Sequence, residues 1–242
     1  MASEAAAAGL VRLDYPAAEL VITASGDWRG YRSRPVAKEP WTVDWLERMT
    51  PEQDNLLDVG ACVGSYSLIA ASRGVAVTAV EPSYANYAML CQNAALNGLS
   101  EAILPICAAL GERSGWSWFS YSSAAPGAAS HRLGDIGDDP PTNAVRQPIL
   151  VLSLDDLFER HGLPIPSHLK LDVDGHEMEV LRGAQRLLRH EHLAGLLIEV
   201  PYANSSALLE LLGAAGWSLA RRWDARNGQL IHGIWYAELA RA

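Results

Sequence analysis

Residues Leu56 to Ser67 read LLDVGACVGSYS, and this stretch decides the fold. Leu56 and Leu57 lead into Asp58, then Gly60, then Gly64, and the run from Ser65 to Ser72 continues at helical spacing. That order predicts a buried parallel strand, a tight glycine turn and a helix N-terminus. A turn this sharp leaves backbone N–H groups facing a crevice beyond the strand end, where open α/β sheets hold their ligands.

Two nucleoside cofactors compete for such a crevice. A dinucleotide site uses G-x-G-x-x-G, which lets a pyrophosphate approach the helix N-terminus. Counted from Gly60, that pattern needs Gly at 62 and Gly or Ala at 65, where the chain has Cys62 and Ser65. It carries D-x-G-x-x-x-G instead, with an acid at the strand end. A carboxylate there repels a pyrophosphate and suits a cationic ligand. S-adenosylmethionine has an ammonium and a sulfonium and no phosphate. The next predicted strand ends in Glu81, about 20 residues beyond Gly60, the spacing at which an acid accepts hydrogen bonds from ribose hydroxyls. The competing interpretation makes Asp58 and Glu81 helix-capping acids of an ordinary α/β sheet.

The chain has 242 residues, 49% of them hydrophobic, which suits one large α/β domain with a sizeable core. Its formal charge of −9 and pI near 5.2 argue against nucleic acid and anionic membranes as partners. Three scattered cysteines, Cys62, Cys91 and Cys107, read as free buried thiols of a reducing compartment, the cytoplasm. The opening MASEAAAAGLVRLDY lacks a basic n-region and is not read as a secretory signal. No apolar run approaches a membrane span.

In chain order, residues 1 to about 14 read as an alanine-rich leader. Leu20–Thr23 is expected as a strand, Ser25-Gly26-Asp27 as a turn and Trp28–Arg32 as the returning strand. Glu39–Met49 is expected as a helix with Trp41, Trp45 and Met49 on one stripe. Residues 1–50 are thus a leader with short strands and a helix packing on the core, and residues 51–242 the main domain. In that domain strands at Leu56–Val59, Val75–Val80, Ala102–Ala108, His168–Val173 and Leu196–Val200 alternate with helices. The helices are Gly64–Ser72, Pro82–Leu96, Ser153–Gly162, His176–Arg189 and Ser205–Ala215. Trp217–Trp223 and Leu230–Leu239 close the chain as an antiparallel pair around Arg226-Asn227-Gly228. Such alternation predicts a doubly wound, mainly parallel sheet.

An interruption runs from about 112 to 147. It begins with Trp116, Trp118, Phe119 and Tyr121 and continues through Ser122, Ser123, Gly127, Ser130, Gly134 and Gly137. A loop of that length without its own core is functional or disordered. A lid over the crevice is the expectation, ahead of a plain hairpin excursion.

The second constellation is Lys170-Leu-Asp172-Val-Asp174-Gly175-His176-Glu177. Residues two apart in a strand share a face, so Lys170, Asp172 and Asp174 point the same way. Charge inside a central strand is costly unless it is paired or used. Asp172 ends its strand at the crevice, and Glu199 ends the next in LLIEVP. His176 heads a helix, where the dipole favours a neutral imidazole that can act as a base. Simple pairing of Lys170 with Asp172, and helix capping by His176, are the bland alternatives.

DVGACVGSYS, VEPSYANYAMLCQNAALNGL, LSLDDL, HLKLDVDGHEMEVLRGAQRLL and LLIEV together resemble the FkbM-type methyltransferases, in order over roughly residues 54–200. The resemblance implies a class I S-adenosylmethionine-dependent (Rossmann-like) fold, with a seven-stranded sheet and helices on both faces. It implies methyl transfer, mostly to a hydroxyl of a sugar or secondary metabolite. The family pattern has Asn at the position of Cys62 and often Glu at that of Asp174. The candidate cofactor-binding residues are Asp58, Gly60, Ala61, Gly64, Ser67, Glu81, Pro82 and Ala109. With Cys107-Ala108-Ala109 after the third strand, adenine is expected against backbone and apolar groups. Asp172, His176 and Glu199 are the candidate catalytic residues for taking a proton from a small hydroxylated acceptor. No compact ligand motif supports a required metal. A nicotinamide-dependent oxidoreductase and a catalytically silent S-adenosylmethionine-binding protein are the alternatives.

Overall fold

The structure is a computed structural model and describes residues 9–23, 28–121, 123, 125–129, 131–134, 145–226 and 229–242. The start of the leader, the turn Ser25-Gly26-Asp27, the insertion residues Ser122, Ser130 and Gly137, and the Asn227-Gly228 turn lie outside the described residues.

Seven strands build the main sheet: β1 (Asn55–Val59), β2 (Ala76–Val80), β3 (Ile103–Ile106), β4 (His168–Leu171), β5 (Gly195–Pro201), β6 (Trp217–Trp223) and β7 (Ile234–Arg241). Their order is β6-β7-β5-β4-β1-β2-β3, and only β7 runs antiparallel to its neighbours. The expected class I methyltransferase architecture is therefore present. Helices α1 (Pro40–Glu47), α2 (Ser65–Ser72) and α3 (Tyr84–Leu96) cover one face, and α4 (Leu154–Glu159), α5 (Glu177–Arg182) and α6 (Ser205–Ala214) the other. Residues of β1 alternate between the layers: Leu56 packs with Trp41, Leu46 and Leu68, whereas Leu57 and Val59 pack with Leu154, Leu181 and Leu208. Trp41 and Trp45 are core residues of the first layer.

The glycine turn is fixed by close approach. Gly60 sits at φ +82°, and its N–H and that of Ala61 donate to the carbonyl of Val80 at 3.0 and 3.1 Å. A Cβ on Gly60 would collide with the backbone oxygen of Asp172 at the end of β4. Only glycine lets the two central strands deliver their ends side by side.

The edges of the sequence reading need correction. Leu10–Arg12, taken with the leader, is a strand paired with Val21–Thr23. Asn97 and Asn93 of α3 clamp that pair through Val21 and Thr23. Arg29–Arg32 is a helix rather than a returning strand. Its turn brings Trp28 against Tyr31 edge-on at 6.2 Å, the contact expected of positions three apart on a helix. The helix expected over His176–Arg189 stops at Arg182. Gly183 packs on the backbone of Gly111, and the Asp155 carboxylate captures the N–H groups of Arg186 and Leu187. A separate 3₁₀ turn then follows at Leu187–Arg189. Tertiary contacts here override a continuous helical pattern. The thiols are less buried than expected: Cys62 and Cys91 are half-buried and Cys107 is exposed.

The interruption has a core of its own. Ala109–Leu110, Gly115–Ser120, Arg132–Gly134 and Arg146–Leu152 form a four-stranded sheet. Ala109, Phe119, Tyr121, Ile149 and Val151 pack within it. The alternation of Trp116, Trp118 and polar residues with Ser117 and Phe119 places the latter two inside and leaves Trp116 65% exposed.

Candidate active site

A cavity of about 830 Å³ opens beyond the carboxyl ends of β1, β2, β4 and β5, roofed by the inserted sheet and by the Trp28–Lys38 segment. At one end Glu81 terminates β2. Its carboxyl is 4% exposed and is oriented by the backbone: Cys62 N–H donates to Oε2 at 2.8 Å and Ser83 N–H to Oε1 at 2.9 Å. Burial pushes its pKa up to about 7 against the pull of those donors and of Asn86. Asn86, missed in the sequence, also holds the insertion: its Oδ1 accepts from Gly127 N–H at 2.7 Å and its Nδ2 donates to the Ala128 carbonyl at 3.1 Å. Pro82, Ala108, Ala109, Leu110 and Phe119 add an apolar wall beside Glu81.

Three cations gather around Asp172. Lys170 Nζ, almost fully buried, lies 3.0 Å from Asp172 Oδ2 and 3.8 Å from Asp58 Oδ1. The register explains this: Lys170 pairs with Asp58 across β4 and β1, and Asp172 follows two residues on, on the same side. Burial raises the Asp172 pKa, but Lys170, Lys38 and Arg32 outweigh it, so the group is held below the ordinary carboxylate range. Arg32 lays its guanidinium over Tyr31 at 5.2 Å and donates Nε–H to the Gly127 carbonyl at 2.9 Å. Arg32 and Lys38 were not among the residues expected at the site; Arg32 belongs to the segment read as a returning strand, Trp28–Arg32.

Glu199 lies near the carboxyl end of β5, two residues before Pro201. Burial first, then the charges of Asp172 and Glu177, push its pKa up to about 9. Tyr236, its register partner on β7, places its hydroxyl 3.0 Å from Glu199 Oε2. His176 stands at the N-cap of α5 and its Nε2 accepts from the Leu133 N–H at 3.4 Å, which ties it to the inserted sheet. Glu177 Oε1 accepts from the N–H groups of Val173 and Gly175, both at 3.1 Å. That fixes the loop in which Asp174 and Gly175 take positive φ.

Of the residues expected at the site, Gly60, Glu81, Pro82, Ala109, Asp172, His176 and Glu199 line the cavity. Ala61 lines a small adjoining niche with Arg32, Lys38, Lys170 and Asp172. Asp58, Gly64 and Ser67 stand behind the wall. Ser67 Oγ–H donates to Asp58 Oδ2 at 2.6 Å, and Gly64, at φ +89°, passes under Leu90. Among the described residues no group of three or more His, Cys, Asp or Glu is arranged to hold a metal.

The profile of the methyltransferase FkbM domain matches residues 58–212. Among curated proteins, the hexuronic acid methyltransferase AglP of Haloferax volcanii is 28% identical over 159 residues, which are 66% of this chain and 62% of AglP. The match therefore spans less than two thirds of that relative's length. Among solved structures, the magnesium protoporphyrin IX methyltransferase ChlM of Synechocystis PCC 6803, with bound SAM, superposes at a TM-score of 0.51 and 14% identity. It covers 90% of this chain and 85% of that one. An SAM-dependent methyltransferase from Agrobacterium tumefaciens matches at a TM-score of 0.51 and 13% identity, over 96% and 70% of the two chains. At such identities the structural likeness speaks for the fold.

Proposed function

The chain belongs to the FkbM-domain methyltransferases, and on that premise we propose that it transfers a methyl group from S-adenosylmethionine to an oxygen of a small sugar-type acceptor. The observation that carries this reading is the Glu81 carboxyl. Two backbone N–H groups orient it from behind, while it lines the cavity beside the apolar wall of Pro82, Ala108, Ala109 and Phe119. A ribose on Glu81 and an adenine on that wall match this chemistry. The cavity volume lies in the range of small-molecule sites. Asp172 and Asp174 in the lining suit a ligand with positive charge better than one with a pyrophosphate.

S-adenosylmethionine, when bound, supplies an electrophilic methyl group. The chain's part is to position an acceptor oxygen in line with it, exclude water and take the proton. Glu81, Gly60, Pro82 and Ala109 are proposed as cofactor contacts, and Asp58, Gly64 and Ser67 as the support that shapes the glycine loop. Of the three candidate catalytic residues, Glu199 has the environment of an acid–base group. Asp172, beside Lys170, is suited to meeting a cationic part of the cofactor. The inserted sheet is proposed as the roof of the acceptor site within a single catalytic domain. Arg32 and Arg132 line the same cavity, which suits an acceptor with a carboxylate such as the hexuronic acid named for AglP. The acidic surface argues for a small molecule rather than nucleic acid as the partner, and a cytoplasmic setting fits the free thiols. Among the described residues no helix is long and apolar enough to cross a membrane.

The test is labelled-methyl transfer to a panel of neutral sugars, uronic acids and hydroxylated metabolites, alongside thermal shift. Stabilisation by S-adenosylhomocysteine and not by NAD, with label on a sugar oxygen, is the expected result. Stabilisation by NAD alone overturns the reading.

A further inference from the structure

Glu199 and Glu39 meet on one phenol. Tyr236 Oη lies 3.0 Å from Glu199 Oε2 and 3.3 Å from Glu39 Oε1. Glu199 faces the cavity. Glu39 is fully buried, and none of it is part of the cavity wall. A phenol has one proton, so it can donate to one of these oxygens only. Were both carboxyls ionised, the second oxygen would face the phenol oxygen with no proton between them. That arrangement is costly in a dry site, and it favours a proton on one of the two carboxyls.

The surroundings decide which. Lys38 Nζ lies 2.7 Å from Glu39 Oε1, and Thr42 Oγ–H donates to Oε2 at 3.1 Å. Glu199 has no cation within ion-pair distance among the described residues, and the charges of Asp172, Glu177 and Asp174 disfavour its ionised form. The proton therefore sits on Glu199. Glu199 O–H donates to Tyr236, and Tyr236 O–H donates to ionised Glu39. No hydrogen bond among the described residues occupies Glu199 Oε1.

Building on the methyltransferase reading, we propose that this chain is a proton relay, in which Glu199 touches the acceptor oxygen and Glu39, through Tyr236, is the group that finally holds the proton. As the oxygen–methyl bond forms and the sulfur–methyl bond breaks, the acceptor O–H proton passes to Glu199 Oε1. The proton on Oε2 passes to the Tyr236 oxygen, and the Tyr236 proton to Glu39 Oε1. The positive charge lost at sulfur and the negative charge lost at Glu39 balance. After product leaves, the proton returns along the same chain to water in the open cavity. The pKa directions agree. Burial raises both carboxyls; Lys38 outweighs it at Glu39, which stays low, and nothing does so at Glu199. Glu199 is the catalytic residue here, and Tyr236 and Glu39 act through it.

The test uses the whole chain with Glu199→Gln and Tyr236→Phe. Infrared spectra of the ligand-free protein at neutral pH should show a protonated carboxyl band that Glu199→Gln removes and Tyr236→Phe shifts. Single-turnover transfer should fall by about 10²-fold in Tyr236→Phe, with S-adenosylhomocysteine affinity unchanged. Its pH profile should change shape as well. With the phenol gone, Glu199 must itself ionise to act, so the Tyr236→Phe rate should climb toward alkaline pH where the wild type is flat. A missing carboxyl band, or a Tyr236→Phe enzyme with wild-type rate and profile, overturns the relay. A wild-type protein that binds no S-adenosylhomocysteine overturns the methyltransferase reading, and the relay's role in it.

Discussion

Asp172 and Glu199 stand at the carboxyl ends of adjacent strands and line the same cavity, yet the fold pushes their pKa values in opposite directions. Asp172 lies 3.0 Å from Lys170, with Lys38 and Arg32 near, and is held ionised. Glu199 has a phenol for a partner and carboxylates for neighbours, and its pKa is pushed up to about 9. Both begin with the same burial penalty. What separates them is whether a cation shares the burial. Environments that push two carboxyls apart in this way are what the proposed division between charge-holder and acid–base group rests on.

The largest expected effect breaks the cationic side. Asp172→Asn leaves Lys170 almost fully buried with only Asp58 at 3.8 Å, and should cost about 3 kcal/mol in urea unfolding. Adding Lys170→Met should recover most of that loss, since the unpaired charge goes with it. The lowered Asp172 pKa contributes stability that is present above the unfolded value and lost as pH falls below about 4, so Asp172→Asn should lack this acid limb. A variant as stable as wild type at neutral pH would mean that Lys170 does not depend on Asp172.

The next effect places a third carboxyl between the two. Glu81, with a pKa of about 7, should bind S-adenosylhomocysteine more tightly as pH rises through neutrality and the carboxylate gains acceptor capacity. Calorimetry on Glu81→Gln should show affinity lower by more than about tenfold and flat with pH. Unchanged affinity in the folded variant would remove Glu81 from the ribose role.

The smallest effect sharpens the Glu199 side. Its raised pKa means that the folded state holds a proton the unfolded chain has lost. Stability therefore falls with rising pH from the unfolded value, about 4.3, up to about 9. Glu199→Gln should remove that slope, and its melting temperature should gain a few degrees on the wild type at alkaline pH. Parallel pH curves for the two proteins would show that Glu199 is ionised in the fold.

The core alternation was legible because its signals are local. Leu56-Leu57-Asp58-Val59 reads as a strand and Gly60 as a turn within a few residues, and Glu81 follows at a set interval. The inserted sheet was not legible: Ala109–Leu110 and Arg132–Gly134 are very short, and its core joins Phe119 to Ile149 and Val151 across a polar stretch. The early end of α5 escaped for a similar reason, since the contact of Gly183 with Gly111 has no mark near either residue.

From the sequence alone came the parallel sheet, the glycine loop and the acids at the ends of β1, β2, β4 and β5, because strand period, turn chemistry and motif spacing act over short separations. Tertiary structure alone decided which partners each acid has. Glu39 and Tyr236 stand 197 positions apart and meet only because β7 inserts beside β5 and turns Tyr236 toward the layer that Glu39 opens at the head of α1. Protonation follows from which charges share a dry site, and chain separation carries no information about that.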